Sequence, residues 1–121
     1  MRIYKYRTFR QWAKGENICD STLKQAINEI EQGLFEAYFG NGLYKKRIAR
    51  KGQGKRSGYR TLIALKQGEK AIFMYGYAKN ERDNISPREE RVYKKLSEHY
   101  LKLSDMELIN LIKNGELFEV I

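Results

Sequence analysis

The 121 residues carry 24 Lys and Arg against 15 Asp and Glu, a formal net charge of +9, with 41% hydrophobic residues. That length suits a single domain, 1–121, able to bury one core without metals or disulfides. The lone cysteine, Cys19, excludes an internal disulfide framework and suits a reducing compartment, the cytoplasm, and no apolar run reaches the roughly 18 residues of a membrane span.

In chain order, Arg2 to Phe9 alternates weakly and suits a short strand or an entry into a first helical turn around Phe9 to Lys14. Asp20 or Ser21 is expected to cap a helix whose apolar stripe is Leu23, Ile27, Ile30 and Leu34, ending near Gly33, with Cys19 half-buried near its start. Gly40-Asn41-Gly42 is a turn. Leu43 to Lys51 then reads as a strand with Lys45, Arg47 and Ala49 on one face and Tyr44, Lys46, Ile48 and Arg50 on the other. Residues 52–58 read as a flexible loop, followed by strands Tyr59 to Lys66 and Ala71 to Ala78 joined by a tight turn at Gln67 to Lys70.

Ser86-Pro87-Arg88-Glu89 is a helix-start signal, with Ser as the cap, Pro at the first helical position and Glu three residues after the cap. The helix it opens is expected to bury Val92, Leu96, His99 and Leu103. Ser104 and Glu107 open a second helix, stopped by Asn114-Gly115, and Leu117 to Ile121 reads as a final strand. The sum is an α+β domain with helices against one face of an antiparallel meander and the other sheet face free.

Charge is concentrated along this chain. Between Glu36 and Glu69 there is no acidic residue, and the gap holds nine cations, Lys45, Lys46, Arg47, Arg50, Lys51, Lys55, Arg56, Arg60 and Lys66; the 15 basic residues outside it balance the 15 acidic ones. A localised surplus of this kind is the footprint of a phosphate-backbone binder, so RNA is the expected partner. The segment is too rich in Gly for the amphipathic helix of a membrane binder.

Lys45 and Arg47 project from one strand face, and Arg60 on the next strand can reach the same region. The glycines around Lys55 and Arg56 fail the nucleotide-loop spacings, since Ala49 stands where a P-loop needs Gly and Ser57 where a dinucleotide fingerprint does. They suit close backbone approach to a phosphate chain. Cys19 and His99 are single and the Asp residues scattered, so neither a metal nor another cofactor is expected. RNA cleavage without a metal is open to such a set. The substrate supplies its 2′-hydroxyl as nucleophile, Arg stabilises the added phosphate charge, and a Lys with cationic neighbours becomes a proton acceptor. Tyr75 and Tyr77 share a face, where an aromatic stacks a base or fills core, and Lys79-Asn80-Glu81 leaves the strand as exposed polar residues.

Taken together, Gly42 to Ala49, Gly52-Gln53-Gly54-Lys55, Gly58-Tyr59-Arg60 and Tyr75 to Arg82 resemble RelE/ParE-superfamily toxins of bacterial type II toxin–antitoxin systems, most closely the HigB-like branch. The resemblance is closest over Gly40 to Ile85. It implies a RelE-like fold, with N-terminal helices packed on a twisted antiparallel sheet and helices following. It also implies an mRNA interferase acting on the ribosome, restrained by a cognate antitoxin of the helix-turn-helix type. By position, Lys45, Arg47, Arg60 and Lys79 correspond to the family's catalytic set. Lys46, Arg50, Lys51, Lys55, Arg56, Tyr77 and Asn80 are the accompanying RNA-binding candidates. Ile85 and Ser86 stand where some members carry a catalytic Tyr or His, which leaves the proton acceptor unassigned. A gyrase-inhibiting toxin of the ParE kind and a non-catalytic RNA-binding module are the alternatives, and the retained Lys45, Arg47 and Arg60 argue against the former.

Overall fold

Local signals set the helix starts. In a computed structural model, which describes residues 1–50 and 54–121 and the side chains outside 51–57, Ser86 and Ser104 each accept from the backbone of the Glu three residues on. Each Glu side chain returns to its cap, closing two capping boxes. They open α3 (Pro87–Leu101) and α4 (Asp105–Lys113). Gly115, at a φ of +74°, lets the chain leave α4.

Upstream, β1 (Arg2–Tyr6) runs directly into α1 (Arg7–Gly15), so both expectations for the N-terminus hold in succession. In α2 (Asp20–Glu31) the cap is Cys19, with no side-chain capping bond. Asp20 instead sits in the first turn, where it accepts from Lys5 Nζ at 2.7 Å and from the Ile121 backbone at 2.9 Å. Leu23, Ile27 and Ile30 are buried as expected, but Leu34 lies beyond Gly33 and is 55% exposed. The helix has ended, and with it the period that would have returned Leu34 to the core.

The strands β2 (Ala37–Gly40), β3 (Leu43–Arg50), β4 (Gly54–Lys66), β5 (Lys70–Ala78) and β6 (Leu117–Glu119) complete one sheet of order β2-β3-β4-β5-β1-β6. All pairs are antiparallel except β1 with β5. The edge strand β2 was not expected, and the expected loop over residues 52–58 is already strand from Gly54 onward. Its first two residues lie outside the described ones.

Both sheet faces are covered, which corrects the expectation of a free one. On one face α1 and α2 pack Phe9, Ala13, Leu23 and Ile27 against Ile48, Ile63 and Phe73. On the other, α3 and α4 pack Leu96, Leu101 and Leu108 against Leu43, Leu62, Ala64 and Ile72. Within α3 the buried residue is Ser97, whose hydroxyl donates to the Asn41 carbonyl at 2.8 Å, whereas Val92 and His99 are exposed. The inward stripe of α3 is thus one step away from the expected one.

A bulge in β5 decides what faces where. Leu62 pairs with Tyr75 and Ile63 with Phe73, so Met74 is an extra residue on β5. Phe73 points toward α1, and strict alternation from it would send Tyr75 and Tyr77 the same way. The bulge reverses the alternation. Gly76 now faces α1, where a Cβ would stand 2.2 Å from Trp12 Cζ3, and Tyr75 and Tyr77 face the α3 side.

Candidate active site

Strand register assembles two rows on the α3 side of the sheet. Arg47 on β3, Arg60 on β4 and Tyr77 on β5 are direct neighbours, and Lys45, Leu62 and Tyr75 form the next row. The alternation read from the sequence therefore holds for Lys45 and Arg47, and Arg60 joins them.

The segment after β5 reaches over these rows. Lys45 Nζ donates to Asn84 Oδ1 at 2.6 Å. Arg82 donates to both carboxylate oxygens of Glu89, to the Asn84 carbonyl and, at 3.3 Å, to the Tyr75 hydroxyl, while its guanidinium lies 5.5 Å from the Tyr77 ring centre. Tyr93 of α3 stacks on Tyr75 with ring centres 5.5 Å apart. Glu36 approaches from the turn before β2, where its carboxylate accepts from the Arg47 backbone N–H.

The electrostatics follow from this crowding. Burial lowers the Lys45 pKa from the ordinary lysine value, and the charges of Arg60, Arg47 and Lys79 lower it further against an opposing pull from Glu36. The sequence had pointed to cationic neighbours as the cause; burial comes first. Arg60, only 2% exposed, is lowered by burial and then by Arg47. Glu89 is driven down to about 2 by the Arg82 hydrogen bonds and then by the Ser86 backbone.

That last shift fixes a pH dependence. The Glu89 carboxyl binds its proton less readily in the fold than an unperturbed glutamate does at its ordinary value of 4.5. Its contribution to stability is complete above about pH 4.5 and is lost as the pH falls toward about 2. The pair is one-third exposed, so solvent screening keeps the effect small. Denaturation midpoints measured across that window are expected to fall less steeply for Glu89→Gln than for the parent chain, and equal slopes would remove the Arg82 pairing as the cause.

The family model described as the RelE toxin of the RelE/RelB toxin–antitoxin system matches residues 1–120. The chain belongs to this RelE toxin family. No curated protein matches it. Membership makes it the toxin of a toxin–antitoxin pair, with a cognate antitoxin as partner. The helices on a six-stranded sheet agree with the RelE-like fold.

Within this RelE-family toxin, the other candidate residues fall in different places. Lys46 is 2% exposed, on the α2 side, and its ammonium meets Glu29 at 2.7 Å, so it is a buried ion pair and no RNA contact. Arg50 is also on that side, over the Tyr59 ring at 5.5 Å, beside a cavity of about 650 Å³ that Cys19 shares. Cys19 itself is exposed rather than half-buried, its thiol lowered to about 7 by Ser21 and then Thr22. Tyr77 is 3% exposed, which excludes its ring as an open stacking platform. Lys79 and Asn80 are exposed at the end of β5. Lys51 and the side chains of Lys55 and Arg56 lie outside the described residues.

The acid-free segment is therefore not acid-free in space, because Glu29 and Glu36 fold onto it. Arg82, Asn84, Glu89 and Tyr93 were missed as site residues. Arg82 was visible only as part of the Tyr75 to Arg82 motif, and Glu89 only as half of a capping box. Among the described residues, no helix is long and apolar enough to cross a membrane, and no cluster of three or more His, Cys, Asp or Glu is placed to hold a metal.

Proposed function

We propose that residues 1–121 form a single RelE-like toxin domain of the HigB-like branch that cuts mRNA, without a metal, on the ribosome in the cytoplasm, and so stops translation. Its antitoxin is then a helix-turn-helix protein. The observation that carries this reading is the convergence of Lys45, Arg47 and Arg60 on one sheet face, with Lys45 shifted toward its neutral form. RelE-family toxins are generally endoribonucleases, which adds support.

The set matches the needs of transesterification. Neutral Lys45 takes the proton of the 2′-hydroxyl, whose oxygen attacks the adjacent phosphorus. The bond from phosphorus to the 5′-oxygen breaks, leaving a 2′,3′-cyclic phosphate, and the departing 5′-oxygen takes a proton from the exposed Lys79 ammonium. Arg47 and Arg60 hold the extra negative charge that builds on the phosphoryl oxygens, as permanent cations in a partly dry site. Asn80 and the basic residues 51, 55 and 56 are the remaining RNA-contact candidates.

Inducing the protein in bacteria and mapping message 5′ ends tests the reading. New ends inside coding sequences are expected within the first minutes of growth arrest. Growth arrest with intact messages overturns it in favour of gyrase inhibition or RNA binding without cleavage.

A further inference from the structure

Two buried donors lack a hydrogen-bond partner among the described residues, the Nε of Arg47 and the hydroxyl of Tyr77. They belong to one row, Arg47 and Tyr77 flanking Arg60 across three adjacent strands. Such coincidence needs a reason. A buried hydroxyl without a partner carries the full desolvation cost of the group, and phenylalanine would fill the same ring space without that loss.

The surroundings say what the missing partner is. Arg60 lies between the two orphans, and the Arg82 guanidinium stands over the Tyr77 ring. The carboxylates felt at this row already accept hydrogen bonds, Glu36 from the Arg47 backbone and Glu89 from Arg82 and the Ser86 backbone. Donors and positive charge thus outnumber the carboxylates, which already accept from other donors, the complement of an anion. Burial raises the Tyr77 pKa against the opposing pull of Arg60 and Arg82, so at neutral pH the phenol keeps its proton and can only donate toward an anion.

We propose that the Tyr77 hydroxyl and Arg47 Nε form an oxyanion site for a non-bridging phosphoryl oxygen, which makes Tyr77 a further catalytic residue of the RNA cleavage. This rests on the nuclease reading of the same face. Tyr77 keeps its proton throughout; its hydrogen bond strengthens as charge accumulates on the oxygen, and the proton acceptor is a different group. Lys45 is meanwhile held by the neutral amide oxygen of Asn84, a contact that gives way to the 2′-hydroxyl when RNA enters.

The test compares the parent chain with Tyr77→Phe in three measurements: single-turnover RNA cleavage, denaturation midpoint, and the midpoint shift produced by inorganic phosphate. The variant is expected to cleave about 10²-fold more slowly at saturating RNA, the scale of one lost oxyanion donor. Its midpoint is expected to equal or exceed the parent's, because no hydrogen bond among the described residues is lost, and its phosphate shift to shrink. Full-rate cleavage by Tyr77→Phe overturns the inference while leaving the nuclease reading intact. A midpoint that falls shows the hydroxyl to be structural and likewise overturns it. Should the parent cut no RNA yet gain more stability from phosphate than the variant does, the nuclease reading fails and the anion site stands.

Discussion

Arg60→Met is expected to slow RNA cleavage by roughly 10²–10³-fold while the protein remains folded. The guanidinium is the central member of the Arg47–Arg60–Tyr77 row and is 2% exposed, so it acts in a site where water screens little of its charge. Its removal takes a fixed cation from beside the phosphoryl oxygens and leaves Arg47 to carry the developing charge. Methionine is the informative replacement because it retains much of the buried length and packs adaptably. Alanine removes most of a buried side chain beneath a folded-over segment, and truncations of that size cost about 2–5 kcal/mol in packed cores. Loss of toxicity in Arg60→Ala therefore confounds chemistry with folding. Cleavage rates measured alongside denaturation midpoints separate the two: Arg60→Met cutting at the parent rate would take Arg60 out of the chemistry, whatever the alanine variant does.

What the sequence made legible depended on how local the determining physics is. The capping boxes at Ser86 and Ser104 and the turn at Gly68 are settled by residues within four positions, and all three stand as read. Strand alternation likewise separated Lys45 and Arg47 from Lys46. Which face would be covered was another matter. Lys46 is lost to RNA because Glu29, seventeen residues upstream on α2, packs across that face. Alternation alone carries no information about that partner.

The bulge at Met74 was illegible for a similar reason. It exists only relative to β4, and without it Tyr77 would have faced α1 rather than Arg60. The parallel pairing of β1 with β5 closes over more than 60 residues and leaves no mark on either strand's own pattern. Four-residue β2, with Tyr38 52% exposed, has too little buried surface to show a period at all. The site is thus half local and half tertiary: its cations were readable from strand spacing, whereas Arg82, Glu89 and the orientation of Tyr77 depend on the packing of α3 and the segment before it.

Lys45→Arg is expected to erase a pH dependence and not merely to lower a rate. In the parent chain the neutral fraction of Lys45 rises tenfold per pH unit below its pKa, so cleavage should climb with pH along that limb. The limb lies lower than for an ordinary lysine, because burial and then Arg60 and Arg47 disfavour the ammonium. The same shift means that the folded chain binds this proton less readily than the unfolded one, so ionised Lys45 opposes folding below the usual lysine pKa, a cost placed where proton transfer needs it. Arginine keeps the positive charge and a comparable reach but stays protonated across the accessible range. RNA affinity should therefore change little, cleavage at neutral pH should fall by about 10²–10⁴-fold, and the rising limb should flatten. If Lys45→Arg lowers the rate uniformly and the limb survives, the lysine is an electrostatic contact and the 2′-hydroxyl proton goes elsewhere. Because Tyr77 is held protonated and Arg47 and Arg60 cannot serve as bases, such a result would move the search to groups outside this row, beginning with Lys79 at the exposed end of β5.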